Sequence, residues 1–212
     1  MIVDNLSGLY FRSNSPDKFV LDEIFLHDVY SISSMENIST VLDIGANIGA
    51  FSSSIIRKFP DCLITAVEPE PSNFAVLDAN CGNISNITLI NKAVWSDSNG
   101  VTIVPNYGET AVESGENSIS VDSLAFNELL EPFSKIDLLK IDVEGAEIDI
   151  ILSASPESLT KIENITGEFH GQVPEWGNWV RYLGAFFELT IVPHKYPNHM
   201  YGGIFHGKKR VD

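Results

Sequence analysis

Four short clusters carry side chains whose types and spacing suit chemistry. The first is TVLDIGANIG at residues 40–49, where Asp43 precedes a turn containing Gly45, Asn47 and Gly49. The second is AVEPEP, which places Glu68 just past an apolar run. The third, KIDVEGAE at residues 140–147, sets Asp142, Glu144 and Glu147 between a strand end and a helix start. The fourth is EFH, with Glu168 and His170 on alternate positions. A strand, a glycine turn and a helix start together make a site for a nucleotide-like ligand at the carboxyl edge of a parallel sheet. Gly45 allows unusual backbone angles, and Gly49 is expected to remove the side chain where turn and ligand approach most closely.

The details of the turn select the ligand. A dinucleotide fingerprint wants G-x-G-x-x-G, whose extra glycine lets a pyrophosphate lie on the helix N-terminus. Here the turn has only Gly45 and Gly49, and Asp43 stands just before it. An acid there opposes a pyrophosphate and suits a ligand with a cationic ammonium and sulfonium, such as S-adenosylmethionine. Glu68, after the second strand, occupies the position that accepts hydrogen bonds from ribose hydroxyls in nucleotide-binding α/β folds. Asp142, nearest its strand end, is expected in the cleft, while the acids after it also suit the positive end of a helix dipole. Period-2 alternation puts Glu168 and His170 on one side of their strand.

The elements that must position these residues alternate between strand and helix. Residues 41–44, 62–67, 87–95, 136–141 and 162–169 read as parallel strands, and 186–192 and 201–205 as the last two. Helices are expected at 50–59, 71–80 and 174–184, with another opening at 121–124 on an Asp122 or Ser123 cap. Residues 1–38 form a lead-in. Its apolar stripe of Phe19, Val20, Ile24, Phe25, Leu26, Val29 and Tyr30 predicts a helix, begun at Ser15-Pro16-Asp17. That helix is either a lid over the cofactor end of the sheet or an ordinary packing helix. Residues 39–212 read as the main domain, so the whole is one globular unit.

Within it, 96–134 carries seven acids and no Lys or Arg. Residues 101–104 and 118–121 are expected to pair antiparallel, with 105–117 as a polar acceptor-side or mobile loop. Trp176, Trp179, Tyr182 and the lead-in helix are the candidates to line an acceptor pocket, against core packing for the tryptophans.

Composition removes several classes. Thirteen Lys+Arg against 29 Asp+Glu give a formal net charge of −16. A general nucleic-acid backbone binder needs the opposite balance. No apolar run approaches the roughly 20 residues of a membrane helix. The first residues, MIVDNLSGLYFR, lack the charged start and apolar core of a signal peptide, so the cytoplasm is the expected compartment. Cys62 and Cys81 have neither metal-ligand nor redox spacing and are expected to be buried.

Taken together and in this order, LDIGANIG, AVEPEPSNF, INKAVWSDSNG, SVDSL, IDLLKIDVEGAEIDIL and EFH resemble the FkbM family of S-adenosylmethionine-dependent methyltransferases. The resemblance runs from about residue 41 to 170. It implies the class I methyltransferase fold, an α/β Rossmann-like architecture: a mostly parallel seven-stranded sheet, an antiparallel last strand and helices on both faces. It implies methylation of a hydroxyl on a small molecule, a sugar or another secondary metabolite. By the same resemblance Asp43, Gly45, Asn47, Gly49, Glu68, Ala93 and Asp142 are the cofactor-binding residues, with Ala93 meeting adenine. Asp142, Glu168 and His170 are then the catalytic candidates.

An alcohol is a weak nucleophile at neutral pH, so a base or a metal must help remove its proton. The favoured route is metal-free, with His170 as base and Asp142 orienting it or holding the acceptor hydroxyl. The other is a divalent cation on Asp142, Glu168 and His170. Two further classes remain at this point: a nicotinamide-dependent oxidoreductase, disfavoured by the missing glycine, and a non-catalytic cofactor-binding module. The acceptor and the oligomeric state are not readable.

Overall fold

Short apolar runs rich in β-branched residues become the central strands in the computed structural model of the chain, which describes residues 1–106, 109–111, 117–171, 173–195 and 201–211. The main-sheet strands are β1 (Thr40–Ile44), β2 (Leu63–Val67), β3 (Ile87–Ile90), β4 (Leu138–Ile141), β5 (Asn164–Gly171), β6 (Phe187–Lys195) and β7 (Tyr201–Lys209). The helices are α1 (Asp17–Phe25), α2 (Ala50–Lys58), α3 (Pro71–Cys81), α4 (Phe126–Leu130), α5 (Glu147–Ser153), α6 (Pro156–Thr160) and α7 (Val173–Gly184). The strands lie in the order β3-β2-β1-β4-β5-β7-β6, and β7 runs antiparallel to both neighbours. This is the class I methyltransferase fold. Strand order reverses between β1 and β4, and ligands of open α/β sheets bind at such a switch point.

Alternation along the strands sorts the core into two layers. Val41, Ile64, Ile87 and Leu138 pack under α1, α2 and α3. Leu42, Ile44, Leu139 and Ile141 pack under α4 to α7. The same period puts Asp43 and Lys140, direct partners across β1 and β4, on the lead-in face. The lead-in belongs to that layer: Leu21, Ile24, Tyr30 and Ile32 share a buried cluster with the sheet. Cys62 and Cys81 are both buried and free.

Several elements depart from expectation. The lead-in helix stops at Phe25, because Asp28 turns the chain left-handed (φ 48°) and Ile32–Ser34 follows as a 3-10 turn. The expected strand 87–95 breaks after Ile90. Its second half, Ala93–Trp95, pairs in parallel with Ser123–Ala125, where a helix had been expected to open. Ser123 caps nothing: its hydroxyl accepts from Gly100 N–H and donates to the Asp97 carbonyl. The antiparallel excursion forms with Val101 opposite Val121, but Glu109–Ala111 adds a third strand within the expected loop. Residues 107, 108 and 112–116 of that loop lie outside the described residues, as do 196–200 of the last turn.

Packing against α3 requires a glycine at position 49. It caps α2 at φ 86°, and a Cβ there would stand 2.8 Å from Cys81 Sγ and 2.9 Å from Leu77 Cδ1 on α3. Gly49→Ala should therefore cost about 2–4 kcal/mol, combining left-handed strain with overpacking. Urea denaturation measures it, and an unchanged midpoint would mean α3 yields freely.

Candidate active site

Lys140 is the residue about which the carboxyl edge is arranged. It is almost fully buried on β4, and its ammonium donates to the Gly45 carbonyl at 2.6 Å. Asp43 lies 3.5 Å away and Asp142 3.7 Å away. Asp43 also accepts from the Ser52 hydroxyl of α2 at 2.7 Å. Burial works against the ammonium, but Asp142, Asp43 and Glu68 keep its pKa raised.

Beside this centre a cavity opens between the ends of β1, β2 and β4. Gly45 and Asn47 form its floor, and Val67, Ala93, Val94 and Ile103 give it apolar walls. Glu68 also lines it. One Glu68 oxygen accepts from Asn47 N–H and the other from Glu70 N–H, both at 2.9 Å. Burial raises this carboxyl to about 7, against the backbone donors that pull it down. Asn47 adopts φ 50°, tolerable for asparagine, and its buried Oδ1 accepts no hydrogen bond. Gly45, at φ 77°, has no room for a Cβ, which would strike the Asp142 carbonyl oxygen. The turn therefore presses directly on the end of β4.

At its far end the cavity meets Asp142 and Glu144, and beyond them lies a cluster of carboxylates around His170. Glu147, fully buried at the start of α5, accepts from Val143 N–H at 2.9 Å and from Gly145 N–H at 3.1 Å. It also meets His170 Nδ1 at 3.2 Å. His170 Nε2 then faces Glu144 at 3.3 Å and Glu168 at 3.7 Å. Burial opposes a charged imidazole, yet Glu147, Glu144 and Asp142 push His170 up to about 10. Glu144 sits at φ 56°, an uncommon conformation for this residue, and burial with nearby Asp142 raises its carboxyl to about 8. The lead-in adds two groups. The Tyr30 hydroxyl donates to Asp142 Oδ2 at 2.8 Å. Glu23 is raised to about 7 by burial and by Glu168 and Asp142.

Comparison with known proteins bears on this site directly. The model of the methyltransferase FkbM domain matches residues 43–191, well over half of the sequence. The chain belongs to the FkbM methyltransferase family. Methyltransferase sdnD of Sordaria araneosa is 27% identical over 205 residues, covering 78% of this chain and 79% of its own. The 31-O-demethyl-FK506 methyltransferase FkbM of Streptomyces tacrolimicus is also 27% identical, covering 88% of this chain and 68% of its own. Among solved structures, precorrin-6y C5,15-methyltransferase from Geobacter metallireducens overlaps 99% of this chain and 98% of its own. Its TM-score is 0.56 at 15% identity, a likeness of fold. Family membership removes the nicotinamide alternative.

In this FkbM-family chain, five of the cofactor candidates line one cavity: Gly45, Asn47, Glu68, Ala93 and Asp142. Gly49 and Asp43 do not. Asp43 lies inside the protein against Lys140 and Ser52, away from the cavity lining. Asp142 and His170 lie in one cluster, but the group that orients the imidazole is Glu147. Carboxylates facing both ring nitrogens favour the protonated imidazole and work against the free base expected at His170. Trp179 is core, packed on Phe169 and Phe205 at 5.4 and 4.9 Å between centroids. Tyr182 packs edge-on against Phe186 and donates to the Ala154 carbonyl. Neither lines the cavity, and the Trp176 side chain lies outside the described residues. Lys140 and Ile103 were not singled out; Glu147 was named only among the motif acids and Tyr30 only in the apolar stripe of the lead-in. For Lys140 and Glu147 the signal was present, since both stand inside KIDVEGAE.

The His170 shift carries a stability consequence with a definite sign. A raised histidine pKa contributes stability that is complete below about 6.5 and lost as pH rises through about 10. In the metal-free protein the His170 ring resonances should stay in the protonated position from pH 6 to 9. Glu147→Gln should bring the titration down by about one to two units. NMR of the imidazole C–H groups reads both, and a wild-type midpoint near 6.5 would refute the arrangement.

Proposed function

We propose that this chain transfers a methyl group from S-adenosylmethionine to a hydroxyl of a small-molecule or sugar acceptor. The observation that carries the reading is the single cavity that joins Glu68 and an apolar slot to Asp142 and Glu144. One end suits an adenosine and the other the reacting groups. The residues fit the cofactor. Glu68 is held by two backbone donors with lone pairs left for ribose hydroxyls, and the orphaned Asn47 Oδ1 needs a donor from a ligand. Val67, Ala93, Val94 and Ile103 suit an adenine between apolar walls.

When bound, S-adenosylmethionine supplies a methyl group made electrophilic by its sulfonium. The chain's own residues supply position. Asp142, shared between cavity and cluster, is placed to hold the acceptor hydroxyl, and Glu168 and His170 flank it on the same face of β5. In-line placement of two reactants accounts for much of the acceleration such sites provide. The carboxylate-rich wall and the net charge of −16 favour an uncharged or cationic acceptor over a nucleic acid. No helix among the described residues is long and apolar enough to cross a membrane, and we take the cytoplasm as the place of action. The lead-in, through Tyr30 and Glu23, is proposed to cover the acceptor side. A hydroxyl acceptor is further supported by the O-methylation named for the FkbM relative.

Calorimetric titration with S-adenosylhomocysteine tests the cofactor half. Saturable binding is expected, weakened about tenfold or more in a folded Glu68→Gln variant, which loses one charged hydrogen bond. His170→Ala should keep that affinity and lose at least about a hundredfold in turnover on a hydroxyl acceptor. Binding of NAD in place of S-adenosylhomocysteine would refute the reading.

A further inference from the structure

We infer that Asp142, Glu168 and His170 form a binding site for a divalent cation of the Mn²⁺ or Mg²⁺ class, on the acceptor side of the cavity. The inference rests on the reading of this cluster as the place where the acceptor binds. Asp142 follows β4, and Glu168 and His170 alternate along β5, so the sheet itself brings all three to one edge. One ligand atom from each lies within 4.8 Å of the other two. Oxygen ligands around an ion with bonds of about 2.1 Å stand about 3–4 Å apart, so modest side-chain rotations close the set.

The second observation is how the ligands are held. A metal-bound histidine almost always gives its other ring nitrogen to a carboxylate, which fixes the ring. Here Glu147, wholly buried, takes His170 Nδ1 and leaves Nε2 toward Glu168 and Glu144. Asp142 is treated the same way. Tyr30 donates to Oδ2, while Oδ1 is buried with no hydrogen-bond donor. A buried carboxylate oxygen without a donor is costly unless a cation meets it. Lys140 pairs with this carboxylate through Oδ2, at 3.7 Å, and its short hydrogen bond goes to Gly45, so Oδ1 keeps no direct donor. With the imidazole held by Glu147 and Asp142 held by Tyr30, the two acids and the ring make a ligand set rather than a solvated acidic patch.

Two carboxylates and one imidazole suit Mn²⁺ or Mg²⁺ with several positions left open. Water fills those positions in the resting state, and an acceptor hydroxyl can replace one. The ion would lower that hydroxyl's pKa and so supply what the ring, occupied by its carboxylate partners, does not.

The test is Mn²⁺ binding to the EDTA-treated protein, read from the electron paramagnetic resonance signal of the free ion. S-adenosylhomocysteine affinity is measured in parallel by calorimetry. One Mn²⁺ per chain is expected, displaced by excess Mg²⁺. His170→Ala and Glu168→Gln should each weaken it at least tenfold, and Glu147→Gln by 10- to 100-fold, as outer-shell partners do. Glu157→Gln, an exposed acid on α6 at the opposite end of β5, should leave it unchanged. Absence of saturable Mn²⁺ binding up to millimolar ion overturns the site, even if S-adenosylhomocysteine binds normally. Equal binding by wild type, His170→Ala and Glu168→Gln also overturns it. Mn²⁺ binding without S-adenosylhomocysteine binding would instead leave the ion and remove the cofactor reading.

Discussion

The buried ammonium of Lys140 is the interaction on which the carboxyl edge of this protein depends. It lies almost out of solvent, 3.5 Å from Asp43 and 3.7 Å from Asp142, with the Gly45 carbonyl at 2.6 Å and the Tyr30 ring 5.9 Å from its nitrogen. One charge thus joins the cofactor turn, the end of β4 and the lead-in. Removing either partner from a buried pair leaves the other uncompensated, typically at a cost of about 3–5 kcal/mol. The pair therefore makes the geometry of the turn inseparable from the stability of the sheet. Gly45 shows the same coupling sterically, since the turn packs so closely on Asp142 that no side chain fits between them.

The second constraint is an excess of negative charge that Lys140 does not offset. Glu23, Asp142, Glu144, Glu147 and Glu168 converge on His170 and Lys140. This surrounding favours a proton on His170 and raises the carboxyls of Glu144 and Glu23, while backbone N–H groups satisfy Glu147. The left-handed Glu144 and Gly145 belong to the same solution. They curl the β4–α5 turn so that its amide hydrogens point at Glu147. Such strain persists only where surrounding contacts hold it, which is common at sites that bind or react.

What could be read from the sequence followed local periodicity. Alternation located the strands, and it also placed Glu168 and His170 on one face. Motif order along the chain carried the family and the cavity residues Gly45, Asn47, Glu68, Ala93 and Asp142. Long-range register could not be read. Nothing near Asp43 says that its partner is a lysine on a strand almost a hundred positions later, so it was assigned to the ligand. The contact of Glu147 with His170 was hidden for another reason: an acid at a helix start has an ordinary explanation in the helix dipole. Three-residue strands such as Ser123–Ala125 are too short to show a period, and the serine there looked like a cap. Gly49 was legible as a necessary glycine, but its reason, the flank of α3, lies in tertiary packing.

Asp142 divides the site into halves with different physics. On one side the cavity is shaped by apolar walls and two oriented backbone donors on Glu68, an arrangement that tolerates little change in charge. On the other side the walls are ionisable groups supplied by three separate elements: α1, the β4–α5 turn and β5. β5 is itself hydrogen-bonded to β4, and the β4–α5 turn begins at Asp142, against which Gly45 packs. The half proposed for the cofactor thus meets the sheet through Lys140 and Gly45, and the half proposed for the acceptor meets it through Asp142 and β5. Sequence motifs mark both halves, KIDVEGAE and EFH in the second as much as the glycine turn in the first, but they mark residues and not the molecule that those residues would hold.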